Sequence, residues 1–565
     1  MNGQKHIINR QVLELTFPER SRAQFIQNKT SEIVKYKLQP ALDNLFSKLS
    51  TTSEIVRIEK LVIDLGTISE NDYEKVLVER SIKEIGDKIA RLKIADLENR
   101  VVKPINGTSS DINGNAVRIS KSKDLLEQFI YFLQFGRFPW WQKAGKTSAK
   151  TGVSQLDEIF KEVLKLDKSV LKSSLVSLLN LSSVRKRLLY QFSHSQLGEL
   201  LKRLDSNLFE SFSSMFQIVI TSVKPVQYKN DLSKSFYKIA LKFFVADQVL
   251  KNDDLKIRFV KELLGVFFNK HSIKEIESIL IEILESLKIQ QRKTNAEVSD
   301  LTVVAVVQTA IELRSQNQVL QKIIDDIILK SDTKVQKLIE QHIKLSGKVS
   351  RIIKPKPVKN PQNYLPEKHD TDGKNVQRVK EKKEGSPMSM FSIKPTDEAE
   401  GIVVSNAGLV LLHPFLRYFF DGLGLLDKEL HFKSQSDVFK AIHLLQFVVF
   451  GTDTFPETEL QLNKVLCGLD IIKPVPKSFL LTEVEKEECL NLIKTVLERW
   501  NALKTANPAA LRDTYLQRDG VLKQSGQSWN LTIERSSLDV MLERLPWSIN
   551  LIKLPWLSQI IYVEW

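Results

Sequence analysis

The residues able to do chemistry are few in this sequence, and their spacing does not gather them. Cys467 and Cys489 stand alone without CxxC spacing, so they frame neither a zinc site nor a disulfide scaffold. No histidine is spaced to activate Cys467, which precedes Gly468 and reads as a small buried hydrophobe. The eight histidines are scattered. His413, next to Pro414 at an apolar helix start, reads as a hydrogen-bonded core residue, with a ligand role as the alternative. Arg512-Asp513 and Arg518-Asp519 read as local ion pairs at a helix end before Gly520. Glu485 with Glu487-Glu488 is a set of surface helix charges. GxxxxGKS/T and GxGxxG phosphate loops, HExxH and GxSxG are all absent from the sequence. Nucleophile, base and orienter never come together, so the reading is a protein that is not an enzyme and uses no metal and no cofactor.

Composition narrows the class further. The chain has 565 residues, 42% hydrophobic and 27% charged, with a formal net charge of +15. That length exceeds one core, so three or so domains are expected. The basic excess is Lys-led and spread along the chain, which favours an acidic partner surface without showing one. Nucleic-acid binding would need basic residues interleaved with stackable aromatics on one face. Here the tryptophans follow prolines in apolar context and the lysines cluster elsewhere, so no nucleic-acid partner is expected. The polar start at Met1 lacks the apolar core of a signal peptide, and no run of about 20 apolar residues occurs. The expectation is a cytoplasmic protein with no membrane partner and reduced cysteines.

The elements that would carry these residues read as mainly α, with small α+β domains at both ends, a helical middle, and a Pro/Lys-rich linker before the C-terminal domain. Residues 1–102 read as strand, helix, strand, helix: alternation at 6–17, a helix to residue 49 bent at Pro40, alternation again at 54–65 stopped by Gly66, and a helix over 71–98 opened by a capping-box-like Ser69-Glu-Asn-Asp72. A two-stranded sheet is marginal alone, so completion by another strand or another subunit is expected. Residues 103–124 read as a linker. From Leu125 a short apolar helix runs to Gly136. It is followed by Phe138-Pro139-Trp140-Trp141, an aromatic plug that reads as a core anchor, with a ligand or partner site as the alternative.

The helical region spans 125–347. Apolar stripes at i, i+3, i+4 spacing recur at 197–204, 236–244, 273–287 and 319–328, with another capping box at Ser272 and Glu275. No clean internal period marks a repeat array. Unfurled into one rod at roughly 1.5 Å per residue, residues 156–345 reach about 280 Å. Its broad apolar faces need partners, in a bundle or in neighbouring chains. Residues 348–398 are basic, Pro-rich and poor in apolar residues, and read as an extended or disordered tether.

The least random stretch is 399–565. It opens on Asn406-Ala-Gly408-Leu-Val-Leu-Leu-His413-Pro414-Phe-Leu416. Arg512 and Gly520 follow, and the chain closes on Pro546-Trp547, Pro555-Trp556 and Val563-Glu-Trp565. Four of the seven tryptophans lie after Leu522, and aromatics that bury roughly 150–250 Å² each imply a packed end. Helices are expected at 409–420, 438–450 and 483–503, the last capped by Thr482 with Glu485. Strands are expected at 529–534 and 560–565, with a short helix at 537–545.

Three of these stretches together resemble one family. They are Val12-Leu-Glu-Leu15 with Leu61-Val-Ile-Asp-Leu-Gly66, Phe132-Leu-Gln-Phe-Gly-Arg-Phe-Pro-Trp-Trp141, and the Asn406–Leu416 motif with its three C-terminal tryptophans. The combination is similar to the tape measure protein of contractile injection systems, the phage-tail-like particles encoded by bacteria. The helical middle matches only in character. The resemblance implies a structural assembly protein that starts at the baseplate, lies in the lumen of the growing inner tube and sets its length until a terminator caps it. It implies baseplate or hub, inner-tube and tube-terminator proteins as partners, self-association of several copies, and no catalytic residues. Retention in the particle lumen after assembly is left open, as is a competing reading, a globular assembly chaperone or adaptor for baseplate or cap proteins. A nucleic-acid-binding scaffold is the third.

Overall fold

The computed structural model describes residues 6–8, 10–17, 20–49, 54–58, 60–101, 116–142, 154–244, 252–290, 296–313, 317–331, 333–349 and 401–565. Residues 350–398 of the basic linker read over 348–398, and residues 103–115 of the first linker, lie outside them, while 348 and 349 belong to a helix. The chain divides into two compact units, one formed by residues 1–166 with 397–565, the other by 167–396.

The first unit begins with α1 (Ala23–Ile33) and α2 (Gln39–Leu49), joined by a single π-turn, Val34–Leu38. The helix runs on through Pro40, where a bend is expected, with the π-turn immediately before it. Proline has no N–H for the ladder and its ring crowds the carbonyl four residues back, and widening the preceding turn relieves both. Strand β1 (Glu54–Ile58) and helix α3 (Tyr73–Val101) follow. Residues 6–17 form no strand, and β1 stops well short of residue 65. The partner of β1 is β2 (Ala116–Ser120), paired antiparallel with Ile55 opposite Ile119. Alternation alone does not make a ladder: β2 sits where turn residues suggested only a linker. Ser69 makes no side-chain cap bond either. Helix α4 (Lys121–Phe135) starts on a Ser120 cap and stops at Gly136, whose φ of 73° is the left-handed end that glycine reaches without strain. Helix α5 (Gln155–Leu164) is capped by Ser154.

The second unit is helical throughout its described residues. It comprises α6 (Lys168–Leu175), α7 (Ser182–Gln191), α8 (His194–Leu204), α9 (Ser206–Ser222) and α10 (Val226–Phe243). Then come α11 (Asn252–Phe268), α12 (Ile273–Gln290), α13 (Ala296–Glu312), α14 (Gln318–Lys330) and α15 (Thr333–Val349). The apolar stripes face one another. Phe212 of α9 stacks on Phe259 of α11 at 4.0 Å, and Phe236 and Phe243 of α10 meet Phe259 edge-on at 5.8 Å. The Ser272–Glu275 capping box forms.

The remainder of the first unit is an α+β layer. Strand β3 (Ile402–Val404) leads through a 3-10 turn, Ala407–Leu412, into α16 (His413–Gly422). Helices α17 (Gln435–Phe450), α18 (Gln461–Leu466), α19 (Glu483–Arg499) and α20 (Pro508–Leu511) follow. Strands β4 (Gly520–Ser525), β5 (Ser528–Ile533), β6 (Leu551–Ile552) and β7 (Ile560–Glu564) complete a sheet of order β3-β4-β5-β7-β6. All its neighbours are antiparallel except β5 and β7, which run parallel. The core between sheet and helices includes Leu411, Phe420, Leu445, Ile493, Trp500 and Leu531. The mainly α reading with strands near the C-terminus holds.

Candidate functional site

The sequence motifs converge on this C-terminal layer, where they act as clamps. Asn406 is fully buried where β3 enters the 3-10 turn, and its amide donates to Gln446 Oε1 at 2.8 Å and to Asn463 Oδ1 at 2.6 Å. Asn463 donates in turn to the Ile442 carbonyl at 3.0 Å. Buried amides must bond or lose about 1–3 kcal/mol each, so this network fixes the turn against α17 and α18. Gly408 is excluded from carrying a side chain by contact: a Cβ there would lie 1.7 Å from the Tyr515 carbonyl oxygen. Pro414 occupies the first turn of α16, where its missing N–H costs nothing. His413 donates from Nε2 to the Ser548 carbonyl at 2.9 Å. Burial lowers its pKa, with that carbonyl pulling the other way.

Arg512 does not spend its donors on its neighbour Asp513. It donates to the Val448 carbonyl at 2.7 Å and the Phe447 carbonyl at 3.3 Å, while Gln517 reaches the Val449 carbonyl at 3.2 Å. These are the last carbonyls of α17, where the helical ladder runs out after the Gly451 N–H bonds Phe447 at 2.8 Å, and a cation there also meets the negative end of the helix dipole. Arg518 likewise pairs across the layer, with Asp539 at 2.9 Å. The local ion pairs expected from adjacency are therefore replaced by long-range ties.

Each C-terminal tryptophan packs its ring and satisfies its N–H. Trp547 donates to the Leu411 carbonyl at 3.1 Å and meets Phe415 edge-on; Trp556 donates to the Leu466 carbonyl at 2.8 Å and packs on Phe420 and Phe432. Trp565 donates to Asp539 at 3.1 Å, under the Arg518 guanidinium. Their prolines, Pro546 and Pro555, are exposed. The aromatic plug lies in the same unit. Trp141 sits T-shaped on Trp140 at 5.8 Å and carries the Arg57 guanidinium at 4.2 Å over its ring, while Pro139 is buried. Arg57 also pairs with Glu127 at 2.5 Å and with Asp124. The groove between this plug and β3, lined by Arg137, Phe138, Trp140, Ile402 and Val403, has room for little more than a water molecule.

Sequence reasoning missed the ties between the two ends of the chain. Gln461 donates to the Gly136 carbonyl at 2.9 Å, and Lys477 pairs with Asp157 at 3.0 Å. It also missed a fully buried ion pair, Lys464 with Glu457 at 2.5 Å, in which Lys464 further donates to the Ile471 carbonyl at 2.9 Å. The available signal was Gln461-Leu-Asn-Lys464, three polar residues in a helix flanked by apolar sequence. His443 donates to the Pro476 carbonyl at 2.9 Å, and burial lowers its pKa to about 4. Burial raises Cys467 well above the ordinary thiol value and Cys489 to about 12, so neither is a thiolate near neutral pH. Among the described residues no cluster of His, Cys, Asp and Glu could hold a metal ion. The arrangement holds backbones together.

A family model for contractile injection system tape measure proteins matches residues 5–565. The chain belongs to that family. Tape measure proteins are structural components rather than enzymes, and membership implies association with other components of such a particle. Every clamp described above therefore lies within the span that the tape measure family defines. No curated protein and no solved structure matches the chain. No helix among the described residues is long and apolar enough to cross a membrane.

Proposed function

We propose that the chain sets the length of the inner tube of a contractile injection particle during assembly in the cytoplasm. It would contact baseplate or hub, inner-tube and tube-terminator proteins, and the family match from residue 5 to 565 carries the reading. The all-helical unit, with amphipathic faces that can exchange partners, supplies length, and the motif-rich termini supply attachment. The basic balance of +15 suits an acidic lumen. Deleting whole helices from α8 to α14 and measuring tube length by electron microscopy tests it: graded shortening is expected, and particles of unchanged length would reject a ruler.

A globular adaptor for baseplate or cap proteins is the second reading. The Gln461–Gly136 and Lys477–Asp157 ties favour it, because they hold sequence from both ends in one compact unit. The ruler reading requires these ties to open when the chain is loaded. An adaptor gives normal particles or none from the same deletions, never a graded series.

A further inference from the structure

The apolar core of residues 401–565 closes on itself. Among the described residues every member of that core lies between Ile402 and Val563, and every half-buried hydrophobe packed on it lies between Phe415 and Trp565. Helices α4 and α5 pack on each other instead, with Phe129 edge-on to Phe160 at 5.7 Å. Their buried Leu126, Ile159 and Val163 take no part in the C-terminal core. The aromatic plug is anchored on the same side. Phe138 packs on Phe132 of α4, and Trp141 carries the guanidinium of Arg57 from β1. Arg57 in turn pairs with Asp124 and Glu127 of α4. Strand β1, α4, the plug and α5 are thereby held to one another, beside a C-terminal core complete without them.

The seam between the two sides is of a different kind. Gln461, fully buried, donates across it to the Gly136 carbonyl at 2.9 Å, while its Oε1 accepts from no group among the described residues. Lys477 and Asp157, paired at 3.0 Å, keep 27% and 15% of their side chains exposed, and a partly wet ion pair stabilises little. A water-sized groove lined by Phe138, Trp140, Val403 and Thr458 interrupts the packing of the plug on β3. In sequence the whole second unit lies between α5 and β3, so no short connection holds the seam shut. Interfaces that part are more polar than cores, and local opening follows the contacts with the least buried apolar area. We propose that this seam is a latch. Residues 121–166 swing off 401–565 in one step, taking β1 and β2 with them, while both sides stay folded and Ile402, Val403, Thr458 and Gln461 are bared. The latch gives the ruler reading the place at which its ties open. The two are tested apart, since thiol labelling of the purified chain reads the latch and tube length reads the ruler.

The full-length chain carrying Thr458→Cys tests the latch. Thr458 is 6% exposed and lies in the groove beneath the plug. The native Cys467 and Cys489 are buried in the C-terminal core and report unfolding of 401–565 itself. Under native conditions a maleimide should label position 458 about tenfold faster than either native cysteine, read by mass spectrometry of the digested chain. Lys477→Glu sets a carboxylate against Asp157 at the other tie. It should quicken labelling at 458 by about tenfold and leave both native cysteines unchanged. Labelling at 458 no faster than at Cys489 means that the seam opens only as the layer unfolds, and overturns the proposal. Labelling at 458 that is fast but indifferent to Lys477→Glu shows a local movement of the plug and overturns it too. So does a Lys477→Glu chain in which all three cysteines quicken together, because the two sides then unfold as one. Val403→Cys lines the same groove and carries the same readout where Thr458→Cys does not fold.

Discussion

At the scale of residues, the C-terminal layer concentrates its cost and its specificity in a few polar groups inside an apolar core. Lys464 and Glu457 are both fully buried. Taking two charges out of water costs several kcal/mol each, and their attraction and bonds roughly offset that. Truncating one member leaves a naked charge, so Lys464→Ala should lower stability by about 3–5 kcal/mol in urea unfolding. The double Lys464→Met/Glu457→Leu should lose far less, and a double variant as unstable as the single would mean that the pair itself is the source of stability. His443 gives a second test. Its pKa of about 4 lies below the ordinary 6.5, so the folded protein takes up that proton later than the unfolded chain. Stability from this residue is whole above pH 6.5 and is lost as pH falls toward 4, by about 1.4 kcal/mol per unit and roughly 3 kcal/mol in all. Urea midpoints followed by tryptophan fluorescence should fall between pH 7 and 4.5 in the native chain. In His443→Gln much of that fall should vanish, the remainder belonging to His413, whose pKa is shifted the same way, and toward the acid end to carboxylates held low such as Glu485 and Asp326. Neither residue was marked in the sequence as a site, because a buried polar group looks like a surface one until helices far apart in the chain close over it.

At the scale of elements, caps and stops read from local sequence were mostly correct, the Ser69 cap being the exception. Thr482 and Glu485 form their capping box, and Gly136 ends α4, since both signals lie within one helical turn. Strands β3, β4 and β6 escaped, because a strand is defined by its partner: β3 pairs with β4 across more than a hundred residues, and β4 opens on Gly520 with polar residues toward its end. The alternation at 6–17 and 60–65 misled for the same reason. The largest gap was the docking of α4 and its aromatic plug onto α18. Gln461 of α18 bridges the Gly136 and Glu457 carbonyls, at 2.9 and 2.7 Å. Gln461→Leu keeps the volume but leaves the Gly136 carbonyl short of a donor, the Glu457 carbonyl keeping the Leu460 N–H, and should cost about 1–3 kcal/mol. Amide hydrogen exchange should then quicken together in the turn after α4 and in α18, with α8 and α9 unchanged. Faster exchange at α18 alone would show that the bond does not couple the two segments.

At the scale of the whole molecule, the issue is how a chain with a well-packed helical unit could measure a length. The aromatic contacts around Phe259 tie α9, α10 and α11 into one core, which a taut thread would have to give up. The helices themselves can survive that exchange, because their hydrogen bonds are internal, whereas their apolar stripes must find new partners in neighbouring copies. The tube length lost per deleted residue reports which happens. A chain loaded as helices should shorten the tube by about 1.5 Å per residue, so removing the 18 residues of α12 takes away about 27 Å. A chain pulled out to extended backbone should shorten it by about 3.3–3.6 Å per residue, about 60 Å for the same deletion. The smaller slope is expected, since unwinding a helix inside a lumen would leave its backbone groups to compete for water. Tube lengths from single, double and triple helix deletions, plotted against residues removed, should fall on one line of that smaller slope. A line at twice the slope would show that the helices melt on loading, and a flat line would leave the folded adaptor as the surviving description.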